Sequence, residues 1–182
     1  LCMPAAAEDV ALPQLLEEIR TEFSLPALAA AVVQDGDVVA AAAVGTRVLG
    51  MDLPVRIDDR FHLGSNTKSM TATLAGMMVE EGKLAWNSSV GEILADHAEG
   101  MDPTLAAATL EQLLSHSSGI PSDSEELIDL YFSDAVFDVN PPRQREDILD
   151  AWKQNAIAVP EGSPFQYSNM GYMIAGMMIE KV

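Results

Sequence analysis

Ser65-Asn66-Thr67-Lys68 sets a hydroxyl and an amine three residues apart at the predicted start of a helix. Side chains at that spacing share one helix face. A serine hydroxyl is a poor nucleophile at neutral pH until a neighbouring base removes its proton. A desolvated lysine amine loses its preference for the charged form and can serve as that base. A nucleophile at a helix N-terminus also gains from the positive end of the dipole, which favours a developing oxyanion. The plainer alternative is a serine N-cap followed by a solvated lysine. A second chemical signal lies about one hundred residues on, at Tyr167-Ser168-Asn169. A phenol next to an ammonium can act as a general base, and a carboxamide both donates and accepts hydrogen bonds. Here the plainer alternative is a turn tyrosine with Asn169 capping the last helix.

The elements that must position these groups are legible in outline. Leu15, Ile19 and Phe23 recur at helical spacing and predict an amphipathic helix over 13–23, ended by Pro26. Two apolar runs, 27–33 and 38–44, flank Asp35-Gly36 and predict a hairpin. The runs are continuously apolar, so both faces are expected to be covered. A helix is predicted over 65–81, where Met70, Leu74, Met77 and Met78 mix with Ala72, Ala75 and Gly76. A helix apolar or small all round is expected to be buried, carrying Lys68 out of bulk water, with its methionines as core filler. Short helical pieces are predicted at 90–95 and 110–115. The acidic stretch 121–145 reads as a loop with a helical turn or two at 125–132 and Pro141-Pro142 in its middle. A final helix is predicted over 170–182, with Met173, Ile174 and Met177 apolar.

Composition excludes several classes of function. The 182 residues carry 28 acidic and 10 basic side chains, a net charge of −18, which argues against nucleic acid or an anionic membrane surface as partner. No apolar run is long enough for a membrane span. The single Cys2 allows no disulfide framework, and His62, His97 and His116 lack metal-ligand spacing, so neither metal nor other cofactor is expected. The small residues after Pro4 resemble the end of a secretory signal and point to a periplasmic or secreted protein, with a cytoplasmic one as the alternative.

Taken together, the two signals resemble the serine β-lactamase and penicillin-binding protein superfamily, whose S-x-x-K motif they share. The class C β-lactamase and family VIII carboxylesterase branch is the nearest in pattern. Phe61-His62-Leu63-Gly64-Ser65-Asn66-Thr67-Lys68 is similar to the F-x-x-G-S-x-T-K nucleophile block. Residues 84–94 resemble the segment after the nucleophile helix. Leu113-Leu114-Ser115-His116-Ser117-Ser118-Gly119-Ile120 resembles L-L-T-H-T-S-G-L, and 160–182 resemble the P-G-x-x-x-x-Y-S-N-x-G-Y block. The resemblance implies an α+β fold of the β-lactamase/transpeptidase type. It implies Ser65 as acylated nucleophile, Lys68 as its cationic partner, Tyr167 as base, and Asn169 as the group that binds the substrate amide and fixes Lys68. The Ser65 backbone N–H would supply half an oxyanion hole. His116 receives no role and is expected to be a loop histidine, with Ser117 and Ser118 as turn residues.

The family's third motif, K-T-G or H-x-G, does not follow Tyr167. The chain therefore resembles the first part of a member: 1–64 with the helix and hairpin, 65–182 with the helical region carrying both motifs, and the remaining strands absent. The expected function is a serine hydrolase acting on a small ester, amide or β-lactam, with the 182 residues alone turning over poorly. The alternatives are a penicillin-binding sensor or interaction protein that does not hydrolyse, or a D-alanyl peptidase. Unpaired strand edges would favour self-association. The acidic stretch 121–145 is expected to line the cleft or its lid.

Overall fold

The computed structural model describes residues 12–121, 125–132, 140–157 and 165–182. Cys2 and the small residues after Pro4 lie outside them. The chain divides into two compact units, Leu1–His62 and Leu63–Val182.

In the first unit, helix α1 (Leu12–Glu22) packs on a hairpin of β1 (Ala27–Gln34) and β2 (Asp37–Gly45). Leu16 is the buried residue of α1. Arg20 straps the helix end to the strand entry, bonding the Glu17 carboxylate at 2.5 and 2.8 Å and the Leu25 carbonyl at 3.0 Å. The strands pair antiparallel from Ala27–Gly45 to Gln34–Asp37, with a bulge between Val32 and Val33. Asp35 and Gly36 both have positive φ, 53° and 91°. This is the two-residue turn whose twist matches the strands, and Asp-Gly is a preferred pair for it. The expectation that both strand faces are covered fails at the turn end, where Val32, Val33, Val38 and Val39 are exposed. Among the described residues of this unit α1 is the one helix, and it packs where Arg20 meets the strand entry. Beyond β2, Arg47 forks onto Asp59 at 2.6 and 2.7 Å, closing the 46–62 loop.

The second unit is helical. It comprises α2 (Thr67–Glu80), α3 (Val90–Ile93), α4 (Pro103–Ala106), α5 (Leu110–Leu114), α6 (Glu125–Tyr131), α7 (Pro141–Trp152) and α8 (Asn169–Lys181). At its centre α8 packs against α2, α3, α5 and α7. Met170, Ile174, Met177 and Met178 recur at i, i+4, i+7, i+8 and are buried together with Gly171 and Ala175. Around them lie Val90, Leu105, Leu110, Leu113, Ile120, Leu127 and Leu149, all fully buried.

Two capping boxes meet across one antiparallel bridge. Ser89 caps α3 with Glu92 returning the bond, Thr109 caps α5 with Gln112 doing the same, and Ser89 pairs with Thr109. The flanking backbone bonds, Val90 N–H to Ala108 O and Leu110 N–H to Ser88 O, lock the two helix starts together.

Two expectations need correction here. Pro141-Pro142 opens a helix instead of interrupting a loop: Asn140 caps it, accepting from Arg143 N–H at 3.0 Å, and proline at the first helical position gives up only an N–H that had no partner. Helix α2 is not buried all round. Ala75 is its buried residue, while Met70, Leu74 and Met77 are exposed, because within this unit α8 covers a single face. Of the acidic stretch 121–145, residues 122–124 and 133–139 lie outside the described residues, and α6 gives Leu127 to the core.

Leu110→Ala is expected to cost about 2–5 kcal/mol through cavity formation, and Thr109→Ala about 1 kcal/mol through loss of the cap. Urea unfolding at unchanged m-value measures both. A Thr109→Ala variant with the parent midpoint would show that the bridged caps do not stabilise the unit.

Candidate active site

Gly64 enters the nucleophile stretch with φ +54°, a left-handed conformation that a Cβ would strain. The chain then makes a 3-10 turn, Gly64–Asn66, that runs straight into α2. Asn66 Nδ2 donates to the Leu63 carbonyl at 3.0 Å and pins the turn. Ser65 is not the N-cap of α2. That position falls to Asn66, which makes no side-chain cap bond, and the Ser65 hydroxyl is turned to other partners. Lys68 Nζ donates to Ser65 Oγ at 3.3 Å. The hydroxyl of Tyr167, 102 positions away in sequence, lies 2.6 Å from Ser65 Oγ, with either oxygen able to donate.

The other side of the site comes from the chain entering α8. Ser168, not Asn169, caps that helix: its Oγ accepts from Gly171 N–H at 3.0 Å, and it is 1% exposed. Its backbone is extended, so its neighbours Tyr167 and Asn169 fall on the side opposite its own side chain. Both reach the Ser65 turn. Asn169 Oδ1 accepts from Lys68 Nζ at 2.5 Å, and Lys68 Nζ sits 4.7 Å from the Tyr167 ring centroid. All four residues singled out from sequence, Ser65, Lys68, Tyr167 and Asn169, are thus brought into one hydrogen-bonded cluster.

Lys68 is half-buried and Ser65 exposed, so the cluster is open to water on the α2 side. The full desolvation of Lys68 expected from the α2 composition is absent. Its amine is held by named partners instead.

Two residues beside the cluster were not singled out as functional. His116, 9% exposed, has φ +58°, and its ring stacks on Tyr167 with centroids 4.6 Å apart. Burial, and then the Lys68 charge, hold its pKa below the usual histidine value. Tyr172 lies 5.0 Å from the His116 ring and 5.6 Å from Lys68 Nζ. Its hydroxyl donates to the Leu114 carbonyl at 2.8 Å. Burial, and then the Tyr167 phenol, push its pKa up, so it stays a neutral donor. The L-L-S-H-S-S-G-I block carried the sequence signal for His116, and the Y-S-N-M-G-Y block carried it for Tyr172.

Among the described residues no group of three His, Cys, Asp or Glu side chains could hold a metal ion, and no helix is long and apolar enough to cross a membrane.

A family model described as Beta-lactamase matches residues 12–182. Penicillin-binding protein 4 of Amycolatopsis lactamdurans is 29% identical over 167 residues, which cover 90% of this chain and 40% of that protein. The octameric penicillin-binding protein homologue from Pyrococcus abyssi superposes with a TM-score of 0.68 at 32% identity, covering 92% of this chain and 37% of the other. A D-stereospecific amidohydrolase from Streptomyces sp. gives a TM-score of 0.68 at 27% identity, over 96% of this chain and 49% of the other. The chain thus spans less than half the length of each of these relatives. With the fold, the order of the motifs and a match over nearly the whole chain in agreement, the protein belongs to the beta-lactamase family.

Proposed function

We propose that the chain carries the nucleophile and base of a serine hydrolase that forms a covalent acyl-enzyme on a small ester or amide, β-lactams included. The observation that supports this most is the meeting at Ser65 Oγ of a phenol oxygen at 2.6 Å and an amine at 3.3 Å. Ser65 Oγ attacks the substrate carbonyl carbon while its proton passes to Tyr167 Oη, which enters the step as phenolate. The carbonyl electron pair moves onto oxygen, where the Ser65 backbone N–H is one donor. When the tetrahedral adduct collapses, the C–N or C–O bond breaks and the leaving group takes the proton from Tyr167. Water attacks the acyl-enzyme by the same route in reverse and Ser65 regains its proton. The Lys68 ammonium offsets negative charge on the phenol oxygen, and Asn169 fixes that ammonium while offering its carboxamide to the substrate amide. Tyr172, committed to Leu114, is the wrong phenol for the base.

Amide chemistry is favoured by the similarity to the D-stereospecific amidohydrolase from Streptomyces sp.. Ester hydrolysis of the family VIII kind uses the same four groups. The residue ranges 1–64 and 65–182 serve as two parts of one catalytic domain, with the second carrying both motifs. For the 182 residues taken alone, capture without efficient release is the expected behaviour. These 182 residues hold no K-T-G or H-x-G after Tyr167, and a site assembled without one oxyanion donor turns over about 10²–10³ more slowly.

Exposure to a labelled penicillin is expected to leave a mass adduct on the peptide carrying Ser65 and none in Ser65→Ala. Tyr167→Phe should slow its formation by about 10²–10⁴. An adduct that survives Ser65→Ala would sink the nucleophile assignment.

Self-association through the hairpin belongs to the same proposal. Among the described residues β1 and β2 pair only with each other, and four valines at their turn end are exposed. Sedimentation velocity on the 182-residue chain should show species that grow with concentration. A monomer that unfolds in one sharp thermal transition would count against it.

A further inference from the structure

Two backbone hydrogen bonds from the Tyr167 arm land on a single residue. Gln166 N–H donates to the His116 carbonyl at 2.7 Å, and Ser168 N–H donates to His116 Nδ1 at 3.1 Å. The left-handed backbone of His116 turns its carbonyl and its ring toward the same segment. Between the two bonded positions sits Tyr167, whose ring lies on the imidazole. Phe165 closes the ring's edge at 5.2 Å and Tyr172 lies at 5.0 Å. A ring nitrogen that accepts from a backbone N–H carries no proton itself, which fixes the tautomer with hydrogen on Nε2.

We infer that His116 is a positioning residue for Tyr167 and Asn169, holding their peptide link through Nδ1 and the Tyr167 phenol through its ring face, and that taking up a second proton releases the arm from Ser65. The inference rests on the acyl-enzyme reading of the site. Its physical content is the donor count. Imidazolium has an N–H on both nitrogens, so Nδ1–H would face Ser168 N–H, donor against donor. The charged and titratable groups facing the ring are Lys68 from α2, Tyr167 on the arm and Tyr172 from α8. Burial and the Lys68 ammonium both oppose the imidazolium. The sign of the pH effect follows. The folded-state pKa lies below the unfolded value near 6.5. Stability and arm placement are therefore complete above about 6.5 and fall as pH drops through the folded pKa.

Two measurements on the protein separate this inference from the reading it rests on. The first needs no activity: a pH titration of ¹⁵N-labelled protein by NMR. Expected is an unprotonated Nδ1 at neutral pH. On acidification the His116 ring and the amide signals of Tyr167, Ser168 and Asn169 should move together with one midpoint. A protonated Nδ1 at neutral pH, or arm amides indifferent to the His116 titration, overturns it whatever the enzyme does. The second is the rate of Ser65 labelling by the same penicillin against pH. Wild type should lose rate on the acid side with the NMR midpoint. His116→Asn keeps an acceptor and tolerates the left-handed backbone, and should lose that acid limb. His116→Phe keeps the ring and removes the acceptor, and should label about 10²-fold more slowly at neutral pH, the scale of a misplacement of about 1 Å. An acid limb unchanged in His116→Asn, or full-rate labelling in folded His116→Phe, refutes the positioning role. Absence of labelling in wild type would instead refute the acyl-enzyme reading and leave the NMR result to decide the arm.

Discussion

Ser168 commits its N–H and its hydroxyl oxygen to the fold, and the candidate site depends on that. Its N–H is taken by His116 Nδ1 and its Oγ by Gly171 N–H. It is almost fully buried, so breaking either bond would leave a polar group without water to replace the partner, a loss of about 1–3 kcal/mol. That commitment settles where the chain stops being extended and starts being helical. It thereby settles which neighbours face away from the core. Tyr167 precedes the switch and Asn169 follows it, and both side chains turn to the same turn of chain at Ser65. A hydroxyl, an amine, a phenol and a carboxamide from segments a hundred residues apart meet within hydrogen-bond distance because one small buried serine cannot move.

The second requirement is that α2 and α8 keep their spacing, since one carries Lys68 and the other begins at Asn169. Here the core does the work. Met170, Ile174, Met177 and Met178 bury the α8 face, and Ala75 is the point of α2 that disappears against the core. A small residue at that point lets the helices approach closely, and the polar pair at their N-terminal ends closes over the gap. Lys68 and Asn169 therefore act as a strut as well as a chemical pair. Tyr172, one turn into α8, supports the same end by donating to the Leu114 carbonyl.

Much of this was legible in the sequence, for reasons that separate cleanly. The hairpin could be read because Asp35-Gly36 names its own turn chemistry. The α8 face could be read because its apolar spacing is regular. The four site residues could be read because two short motifs occur in order. What could not be read depends on partners far away in sequence. Asn169 looked like a cap until Ser168 took that role, a choice made by His116 holding the Ser168 N–H. Pro141-Pro142 looked like a loop because proline breaks helices from within, although Asn140 followed directly by proline is itself a local helix-start signal. His116 looked like a turn residue, and its left-handed backbone agrees, but what its ring touches is decided by the return of the chain fifty residues later.

The exposed face of α2 bears on how such a cluster can perform chemistry. Composition suggested that burial would prepare Lys68, yet Met70, Leu74 and Met77 are exposed and Lys68 is half in water. In a high-dielectric setting an ammonium 3–5 Å from a reacting oxygen is worth about 1 kcal/mol, whereas partial exclusion of water raises that several-fold. The preparation visible here is geometric. Asn169 fixes the ammonium, His116 fixes the phenol, and Gly64 sets the hydroxyl between them. Geometry alone places a near-attack arrangement but leaves each charge screened. Any group that covers the α2 side of this cluster, substrate included, would strengthen the Lys68–Tyr167–Ser65 coupling by displacing water from it, with no atom of the cluster having to move. For the proposed chemistry, occupancy of the site would itself strengthen the electrostatic coupling among the four groups.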